Sequence, residues 1–292
     1  MSIAPRAGCM KRTSGSGMKL KRVFDIHAHI YPDAIASHAV RAISEAYDGV
    51  PIQNDGRLDT LISKLDEAEI RAAAIHSVAT TPHHAESINR YILGVAQAHP
   101  RRFVPFASLH PDMPDLEAAV EDVVEKGFAG VKLHPECQRF LVDEPRAIRL
   151  LGLLAGRLPV LMHCGDMHLD NSAPERVLRM LDKVPDLTLI CAHLGGWTSW
   201  EKSSRALIGS GVYADCSSSL FALDGETAVR ILRGYGVDHV FFGSDYPAWT
   251  PGKELERFFR LPLDGDEREQ ILWDNAKRMF ANALPLADGG QT

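Results

Sequence analysis

The sequence predicts an α/β protein, a single TIM-type (β/α)8 barrel, on three observations. Eight short apolar or β-branched runs alternate with longer amphipathic segments, which is the pattern of repeated strand–helix units. The chain has 292 residues, within the range of such barrels, which is roughly 250 residues and more with insertions. Ligand-type side chains stand where several runs end. A doubly wound open sheet gives a similar alternation, and the strand-end side chains favour the barrel.

The runs and the segments between them define the predicted elements. The predicted strands are Val23–His29, Ala72–Val78, Phe103–Leu109, Gly130–His134, Pro159–Cys164, Leu187–His193, Gly211–Cys216 and His239–Asp245. Leu, Ile, Val or Ala at three- and four-residue spacing predicts helices between them. These helices are Leu58–Glu69, Leu116–Lys126, Pro145–Gly156, Ala173–Lys183 and Gly225–Tyr235. A last helix, Glu267–Ala283, is expected to pack on the outside of the barrel.

The domain organisation follows from the same pattern. Residues 1–22 are basic and lack apolar periodicity, so we expect a disordered lead-in, followed by the barrel over residues 23–284 and a tail over residues 285–292. The longest insertions, residues 30–57 and 246–263, follow the first and last strands. In a barrel of this type such connections lie over the C-terminal face, where active sites are built.

Composition excludes several classes of function. Lys and Arg total 32 against 38 Asp and Glu, a net charge of −6 without a basic stripe, so no nucleic acid partner is expected. No apolar run approaches the ~20 residues that span a bilayer, so no membrane partner is expected either. The five cysteines are an odd, scattered set, and residues 1–22 lack the apolar stretch of a secretion signal. We therefore expect a cytoplasmic protein.

The first strand ends in Asp25-Ile26-His27-Ala28-His29. Histidines at positions i and i+2 of a strand project from the same face, so His27 and His29 can reach one ion. A lone His-x-His occurs often by chance. Asp25, two residues before His27, is a candidate acceptor for the second ring nitrogen of a ligating imidazole.

Three further strand ends repeat the pattern. His163 ends the fifth run, His193 ends the sixth, and Asp245 ends the eighth. For each residue alone, capping of a strand end is the simpler explanation. Together with His27 and His29 they place imidazoles and one carboxylate at one end of the barrel, and such ligands bind borderline ions such as zinc.

In this ordered set the sequence resembles the amidohydrolase superfamily. The phrases DIHAHIYP, GVKLHP, LMHCG, AHLGG and FGSDYP are most similar to its amidohydrolase-related branch, which includes aminocarboxymuconate-semialdehyde decarboxylase. The resemblance covers about Val23 to Ala283. It implies a metal site at the C-terminal ends of the strands, ligated by His27, His29, His163 and Asp245. His193 would stand beside the metal-activated water or the substrate.

General chemistry supports these roles. One divalent ion, zinc or alternatively manganese, with an open coordination position can lower the pKa of a bound water to about 7. Asp245 can accept the proton of that water. His193 can polarise the substrate carbonyl or stabilise developing charge, since imidazole titrates near neutrality.

Lys132 and His134 share one face of the fourth strand and are candidate substrate-binding residues. A carboxylated Lys132 would bridge a second metal, an ammonium would bind an anionic substrate group, and a third alternative is a head group that reaches solvent at the rim. His134 can contact substrate or cap the turn before Pro135. Five remaining histidines can line loops above the site, but we expect them to be solvated, as loose histidines usually are: His76, His83, His84, His110 and His168.

The predicted function is hydrolysis of an amide, lactone or ester-like bond in a small substrate by a metal-activated water. Non-oxidative decarboxylation of an unsaturated or aromatic carboxylic acid is the alternative, because the same ligand set serves both reactions. A non-catalytic metal-binding barrel is a third interpretation, disfavoured because it would not need ligands at every strand end. The sequence leaves substrate identity and homo-oligomerisation open.

Overall fold

The computed structural model describes residues 22–284 and contains one eight-stranded parallel sheet with the strands in sequential order. The predicted lead-in, apart from Arg22, and the predicted tail lie outside the described residues. The strands are β1 Phe24–His29, β2 Ala72–His76, β3 Phe103–Ser108, β4 Gly130–Leu133, β5 Val160–Met162, β6 Leu189–Cys191, β7 Tyr213–Asp215 and β8 Val240–Phe241.

The sheet closes on itself between its first and last strands. The Ile26 amide donates to the Phe242 carbonyl at 3.0 Å, and the His29 amide donates to the Tyr246 carbonyl at 2.7 Å. Ala28 and Tyr246 form a parallel bridge at the same seam. The architecture is therefore the predicted TIM (β/α)8 barrel, and closure leaves no unpaired strand edge.

Helices follow the strands around the barrel. Their bounds are α1 Asp33–Ala46, α2 Leu58–Glu67, α3 Ala85–Ala98, α4 Leu116–Glu125, α5 Pro135–Gln138, α6 Pro145–Leu154, α7 Pro174–Lys183, α8 Trp200–Leu207, α9 Gly225–Tyr235, α10 Pro251–Phe259, α11 Gly265–Glu269 and α12 Asn275–Met279. Short 3₁₀ turns occupy residues 82–84, 193–195 and 237–239. The five helices predicted between strands all occur, with small differences at their ends.

The strands β5 to β8 are shorter than the predicted runs because the chain leaves the hydrogen-bonded ladder before the ligand-type residues. The eighth run was predicted to reach Asp245, whereas the ladder of β8 ends at Phe241. His193 and Asp245 consequently lie on loops, where their backbones are free to leave the extended conformation.

Two apolar clusters hold the fold together. The larger one lies between the outer faces of the strands and the helices, and includes Leu61 of α2, Leu150 of α6 and Ile231 of α9. The smaller one includes Phe24, Phe106 and Phe241 from the strands. Burial of such side chains contributes about 25 cal/mol per Å² of apolar surface removed from water.

The last predicted helix, Glu267–Ala283, occurs in the structure with a π-helical turn in its middle. A π-helical turn over Gln270–Asp274 separates α11 from α12, and Phe280 follows α12. Trp273 and Phe280 belong to the smaller cluster, where the Phe280 ring centroid lies 5.9 Å from that of Phe24 and 5.5 Å from that of Phe106. The expected packing on the outside of the barrel holds for Ile271 and Leu272, which belong to the larger cluster, whereas Trp273 and Phe280 pack in the smaller one.

Two further sequence expectations concern cysteines and membrane spans. Cys137, Cys164, Cys191 and Cys216 are free thiols. Within residues 22–284 no helix combines the length and the apolar character that crossing a bilayer requires.

Candidate metal centre

All the predicted site residues lie at the end of the barrel where the strands finish. His29 ends β1, Lys132 lies one residue before the end of β4, and His163 directly follows β5. His193 and Asp245 lie on the loops after β6 and β8. Most of these side chains are buried, and Asp245 keeps 18% of its side-chain surface exposed.

The His-x-His pair of β1 forms the first half of the site. The Nε2 atoms of His27 and His29 are 3.2 Å apart. Asp245 Oδ1 lies 3.3 Å from His27 Nε2 and 3.7 Å from His29 Nε2. Three potential ligand atoms from opposite sides of the β1–β8 seam therefore face one small volume.

Asp215, the last residue of β7, orients His27. Its Oδ2 accepts a hydrogen bond from His27 Nδ1 at 2.8 Å, and both side chains are almost fully buried. With the proton on Nδ1, the Nε2 lone pair points at His29 and Asp245, an assignment that follows from the hydrogen-bond network. A carboxylate that holds the second nitrogen of an imidazole is the usual support of a metal-ligating histidine.

His163 and His193 form the second half of the site. His163 Nε2 donates to the Gly165 carbonyl at 2.8 Å, and His193 Nδ1 donates to the Ser217 carbonyl at 3.1 Å. These bonds leave the lone pairs of His163 Nδ1 and His193 Nε2 facing each other at 3.0 Å. Two acceptors at this distance repel unless a cation lies between or beside them.

Unusual backbone conformations accompany the two loop residues. His193 and Asp245 have φ angles of 58° and 60°, in the left-handed region that side chains other than glycine rarely adopt. Such positions cost about 1–3 kcal/mol each and cluster at functional sites. Ser218 Oγ donates to Asp245 Oδ2 at 2.5 Å and accepts from Trp249 Nε1 at 2.9 Å, so the carboxylate is held with Oδ1 toward the histidines.

Burial determines the protonation states of the four site histidines and of Asp245. Desolvation lowers the pKa of His27, His29, His163 and His193 well below the ordinary value, and neighbouring histidines and the positive charge of Lys132 add to the effect at all four. The imidazoles are therefore neutral at pH 7, which is the form that binds metal. Burial also raises the pKa of Asp245 to about 7, against the opposing effects of Ser218 and Lys132.

Lys132 lies inside the cluster. Its side chain is fully buried, and Nζ lies 3.1 Å from His27 Nε2, so the alternative in which the head group reaches solvent is wrong. Burial lowers its pKa to about 8, although the carboxylates of Asp215 and Asp245 oppose the shift. At pH 7 the ammonium is still the dominant form.

His134 occupies the opposite wall, stacked on His163 with ring centroids 3.9 Å apart. The Tyr47 hydroxyl, directly after α1, lies 2.7 Å from His134 Nε2 and 3.4 Å from His163 Nε2. His134 Nδ1 accepts from the Cys137 amide at 3.4 Å and so also caps α5. Both roles considered for His134, pocket wall and cap, are therefore compatible with its position.

Close loop packing fixes the region below His163. A Cβ on Gly165, whose φ is +86°, would lie 2.5 Å from the Trp197 amide nitrogen. That amide donates to the Cys164 carbonyl at 2.8 Å. Only glycine permits this approach of the loops after β5 and β6, which carry His163 and His193.

The donor set fits a divalent cation. His27, His193 and Asp245 each offer one ligand atom, and these atoms lie within 4.8 Å of one another. The ligand atoms of these three residues face one another, and Lys132 is the hydrogen-bond donor beside them. His29 Nδ1 is buried without a hydrogen-bond partner among the described residues. Neutral imidazoles with one carboxylate are typical ligands of zinc and similar ions.

Sequence reasoning missed several neighbours of the site. Asp215 holds His27, whereas Asp25 accepts from the backbone amides of His27 and Ser244 and supports the β1–β8 seam. Asp215 ends a strand, so the rule that found His163 would also have found it. Tyr47 and Ser218 carry no such signal, because loop folding alone brings them here.

Among the five histidines expected to be solvated, the structure separates two groups. His83, His84 and His168 are exposed, as expected. His76 and His110 are buried, at 0% and 3% exposure, so the expectation is wrong for both. His76 ends β2 in the structure, whereas the apolar run in the sequence continues to Val78, so the sequence did not mark it as a strand end.

Comparisons with known proteins identify the family and the fold. The amidohydrolase family profile matches residues 24–281. A search of curated proteins found no significant match. Among solved structures, an uncharacterized TIM-barrel protein from Bordetella bronchiseptica is similar, with 20% identity and a TM-score of 0.75 over 90% of this chain and 99% of that one.

Two further solved structures share the fold. One is a candidate 2-pyrone-4,6-dicarboxylic acid hydrolase from Pseudomonas putida, with 19% identity and a TM-score of 0.65 over 90% of this chain and 98% of that one. The other is a dihydroxybenzoic acid decarboxylase from Polaromonas with bound manganese and the inhibitor 2-nitroresorcinol, with 15% identity and a TM-score of 0.67 over 90% and 97%. Because the profile covers nearly the whole barrel, this chain belongs to the amidohydrolase family.

Proposed function

We propose that this protein is a metal-dependent hydrolase that adds water to an amide, lactone or ester-like bond of a small substrate. One observation carries the proposal: the Nε2 atoms of His27 and His29 and the Oδ1 atom of Asp245 lie 3.2 to 3.7 Å from one another. Such a set binds a cation and places a proton acceptor beside it.

The ion is held by His27, His29, His163 and Asp245. Zinc is the metal we propose, because imidazole ligands outnumber carboxylates, and manganese is the competing ion. When bound, the ion supplies Lewis-acid polarisation of the substrate and acidifies a water. One ion per chain is proposed, because the Lys132 ammonium already contacts His27 and a second metal would require its carboxylation.

Asp245 is the general base in this proposal. Ser218 holds Oδ2, so Oδ1 remains free to take a proton from the attacking water and to return it to the leaving group. The partial exposure of this side chain gives water and substrate access from the C-terminal face. The left-handed backbone at Asp245 fixes that orientation at a cost that the rest of the barrel supports.

His193 is a second proton-handling group. Its Nδ1–H is committed to the Ser217 carbonyl, so Nε2 faces the site as an acceptor. This tautomer suits proton uptake more than donation to a substrate carbonyl, which was the alternative expected from the sequence. Donation requires a proton on Nε2, and hence an imidazolium.

Lys132 and His134 bind the substrate. The Lys132 ammonium is the cationic group closest to His27 in the buried cluster and can pair with an anionic substrate group. His134 and Tyr47 form the wall beside His163, where a planar substrate can stack.

Decarboxylation is the second candidate function. The buried Lys132 ammonium favours it, since it can hold a substrate carboxylate, and one solved structure with this fold is a manganese-containing decarboxylase. Against it, no arginine is among the buried residues of the described chain, so a guanidinium clamp for a carboxylate is lacking at the cluster.

Product analysis separates the two reactions. The metal-loaded enzyme is incubated in ¹⁸O-labelled water with a panel of small lactones, amides, esters and aromatic carboxylic acids. Hydrolysis places one ¹⁸O atom in the product and releases no carbon dioxide. Release of carbon dioxide together with an organic product that contains no ¹⁸O would replace hydrolysis by decarboxylation. A loaded protein inert to the whole panel would favour the non-catalytic interpretation.

A further inference from the structure

His76 is a buried histidine to which the proposed mechanism assigns no role. It is the last residue of β2 and is paired in register with His29, the last residue of β1. Its side chain has no solvent exposure. Because register partners on parallel strands project from the same face of the sheet, the His76 ring lies at the level of the metal centre.

Both ring nitrogens of His76 are unsatisfied. Neither Nδ1 nor Nε2 has a hydrogen-bond partner among the described residues. A buried polar atom without a partner lowers stability, and natural cores avoid such atoms unless they serve a site. A phenylalanine or leucine would pack the same space without this penalty, so core packing does not explain a histidine here.

The ring is aimed at the two histidines of β1. Its centroid lies 4.4 Å from that of His29 with the planes perpendicular, and 5.2 Å from that of His27. One nitrogen from each of His27, His29 and His76 lies within 4.8 Å of the others. These three atoms form a compact imidazole set on two adjacent strand ends.

We propose that His76 is a further ligand of the divalent ion, so that His27, His29 and His76 form an imidazole triad on β1 and β2. The inference rests on the metal centre of the proposed function, and it extends that centre to a strand outside the predicted ligand set. Coordination by a His76 nitrogen would satisfy one of the two orphaned atoms.

The triad also determines which metal is preferred. Imidazole nitrogen suits zinc, copper, iron and nickel, whereas manganese and magnesium favour oxygen ligands. A site that adds this fourth imidazole to those of His27, His29 and His163 therefore selects zinc over manganese more strongly than the predicted set without it. Removing His76 reduces that preference.

The test measures zinc and manganese dissociation constants of the full-length protein by competition with a chelator. We compare the wild type with His76→Gln, which keeps polarity, and His76→Phe, which removes it. His110→Gln is the matched control, because His110 is also buried just beyond a neighbouring strand but accepts from the Asp112 amide at 3.1 Å. Both His76 variants should bind zinc at least about 10-fold more weakly, with a smaller loss for manganese and no change in the control.

A second readout separates ligation from a structural role. The melting temperature of metal-free His76→Phe should equal or exceed that of the metal-free wild type, because an unsatisfied group has been removed. Its rise on zinc addition should be smaller. Pulsed EPR of the manganese-loaded protein should count one coordinated nitrogen fewer in His76→Gln.

Wild-type zinc affinity in both His76 variants would overturn the inference while leaving the metal centre standing. A lower metal-free melting temperature with unchanged dissociation constants would assign His76 to the core instead. A wild-type protein that binds neither metal would overturn both the inference and the proposed function.

Discussion

The two ends of this barrel differ in the side chains that they bury: one is apolar and the other is polar. At the N-terminal end, Phe24, Phe106 and Phe241 of the strands pack around Phe280 of the C-terminal segment. At the C-terminal end, the strands finish in histidines, a lysine and carboxylates, of which most are buried and His29 and Asp245 are partly exposed. Apolar burial at the first end stabilises the fold, whereas desolvated polar groups and left-handed backbone at the second end destabilise it.

This difference indicates that one end of the barrel provides stability and the other binds the metal. The apolar cluster around Phe280 at the N-terminal end, which we call the plug, stabilises the fold. That stability supports the polar cluster at the other end, whose lone pairs repel each other in the absence of a cation. Substitutions at the two ends should therefore have separable effects: those at the strand C-termini change metal binding and turnover, and those at the plug change stability.

The largest effect is expected from loss of a ligand. His27→Ala or His163→Ala should release the metal and lower turnover by more than about 1000-fold, because the ion contributes several kcal/mol and each 1.4 kcal/mol is tenfold. Metal content is measured together with activity. A variant that retains the ion and the activity would remove that histidine from the ligand set.

Asp245→Asn should lower turnover by at least about 100-fold, the effect of losing a positioned general base. The amide has nearly the same shape but cannot take a proton from water. Because Asp245 is also a proposed ligand, rates are compared on enzyme fully loaded with metal. Near-normal turnover of the loaded variant would transfer the role of base to His193.

His193→Ala should retain most of the metal and lose turnover by roughly 100-fold, at the lower end of the range for proton-transfer groups. The prediction follows from its role beside the ion rather than on it. The structure makes this a sharp test, because His193 Nε2 belongs to a ligand-like group with His27 and Asp245. Loss of metal as complete as in His27→Ala would place His193 in the coordination sphere.

The smallest effect on catalysis is expected at the plug. Phe280→Ala should lower the free energy of unfolding by about 3–5 kcal/mol, since it empties a buried aromatic site, while turnover of the folded enzyme changes less than about twofold. Denaturant unfolding and steady-state rates measure the two quantities. Ile35→Ala, at a side chain that is 49% exposed, is the control and should stay within about 0.5 kcal/mol of wild type. Equal losses of stability and turnover in Phe280→Ala would show that the ends are coupled.

The fold was predictable because strand and helix periodicities are local properties of the sequence. All eight strands were found, and closure followed from the ordered ligand-type residues at their ends. The contact of the C-terminal helix with the smaller cluster was not predictable, because an amphipathic pattern shows that a face is buried but does not show against which surface. Only the structure locates Phe280 beside Phe106.

The site was predictable to the extent that its residues end strands. His29 ends β1, His27 precedes it by two residues, and His163 directly follows β5. Asp215 was overlooked although it ends β7, and His76 was overlooked because the predicted second run continues past it to Val78. Tyr47 and Ser218 reach the site through the conformation of long connections, which one sequence does not determine. The tautomer of His193 likewise depends on the Ser217 carbonyl, a contact made by the backbone.

The most direct test of the metal centre is anomalous diffraction at the zinc and manganese edges from crystals grown with each metal. The account predicts one peak per chain, with zinc about 2.0–2.1 Å from histidine nitrogens that include those of His27 and His29, and with Asp245 in contact. Absence of any peak at the C-terminal ends of the strands would contradict the central claim. Two peaks bridged by a carboxylated Lys132 would contradict the single-ion assignment.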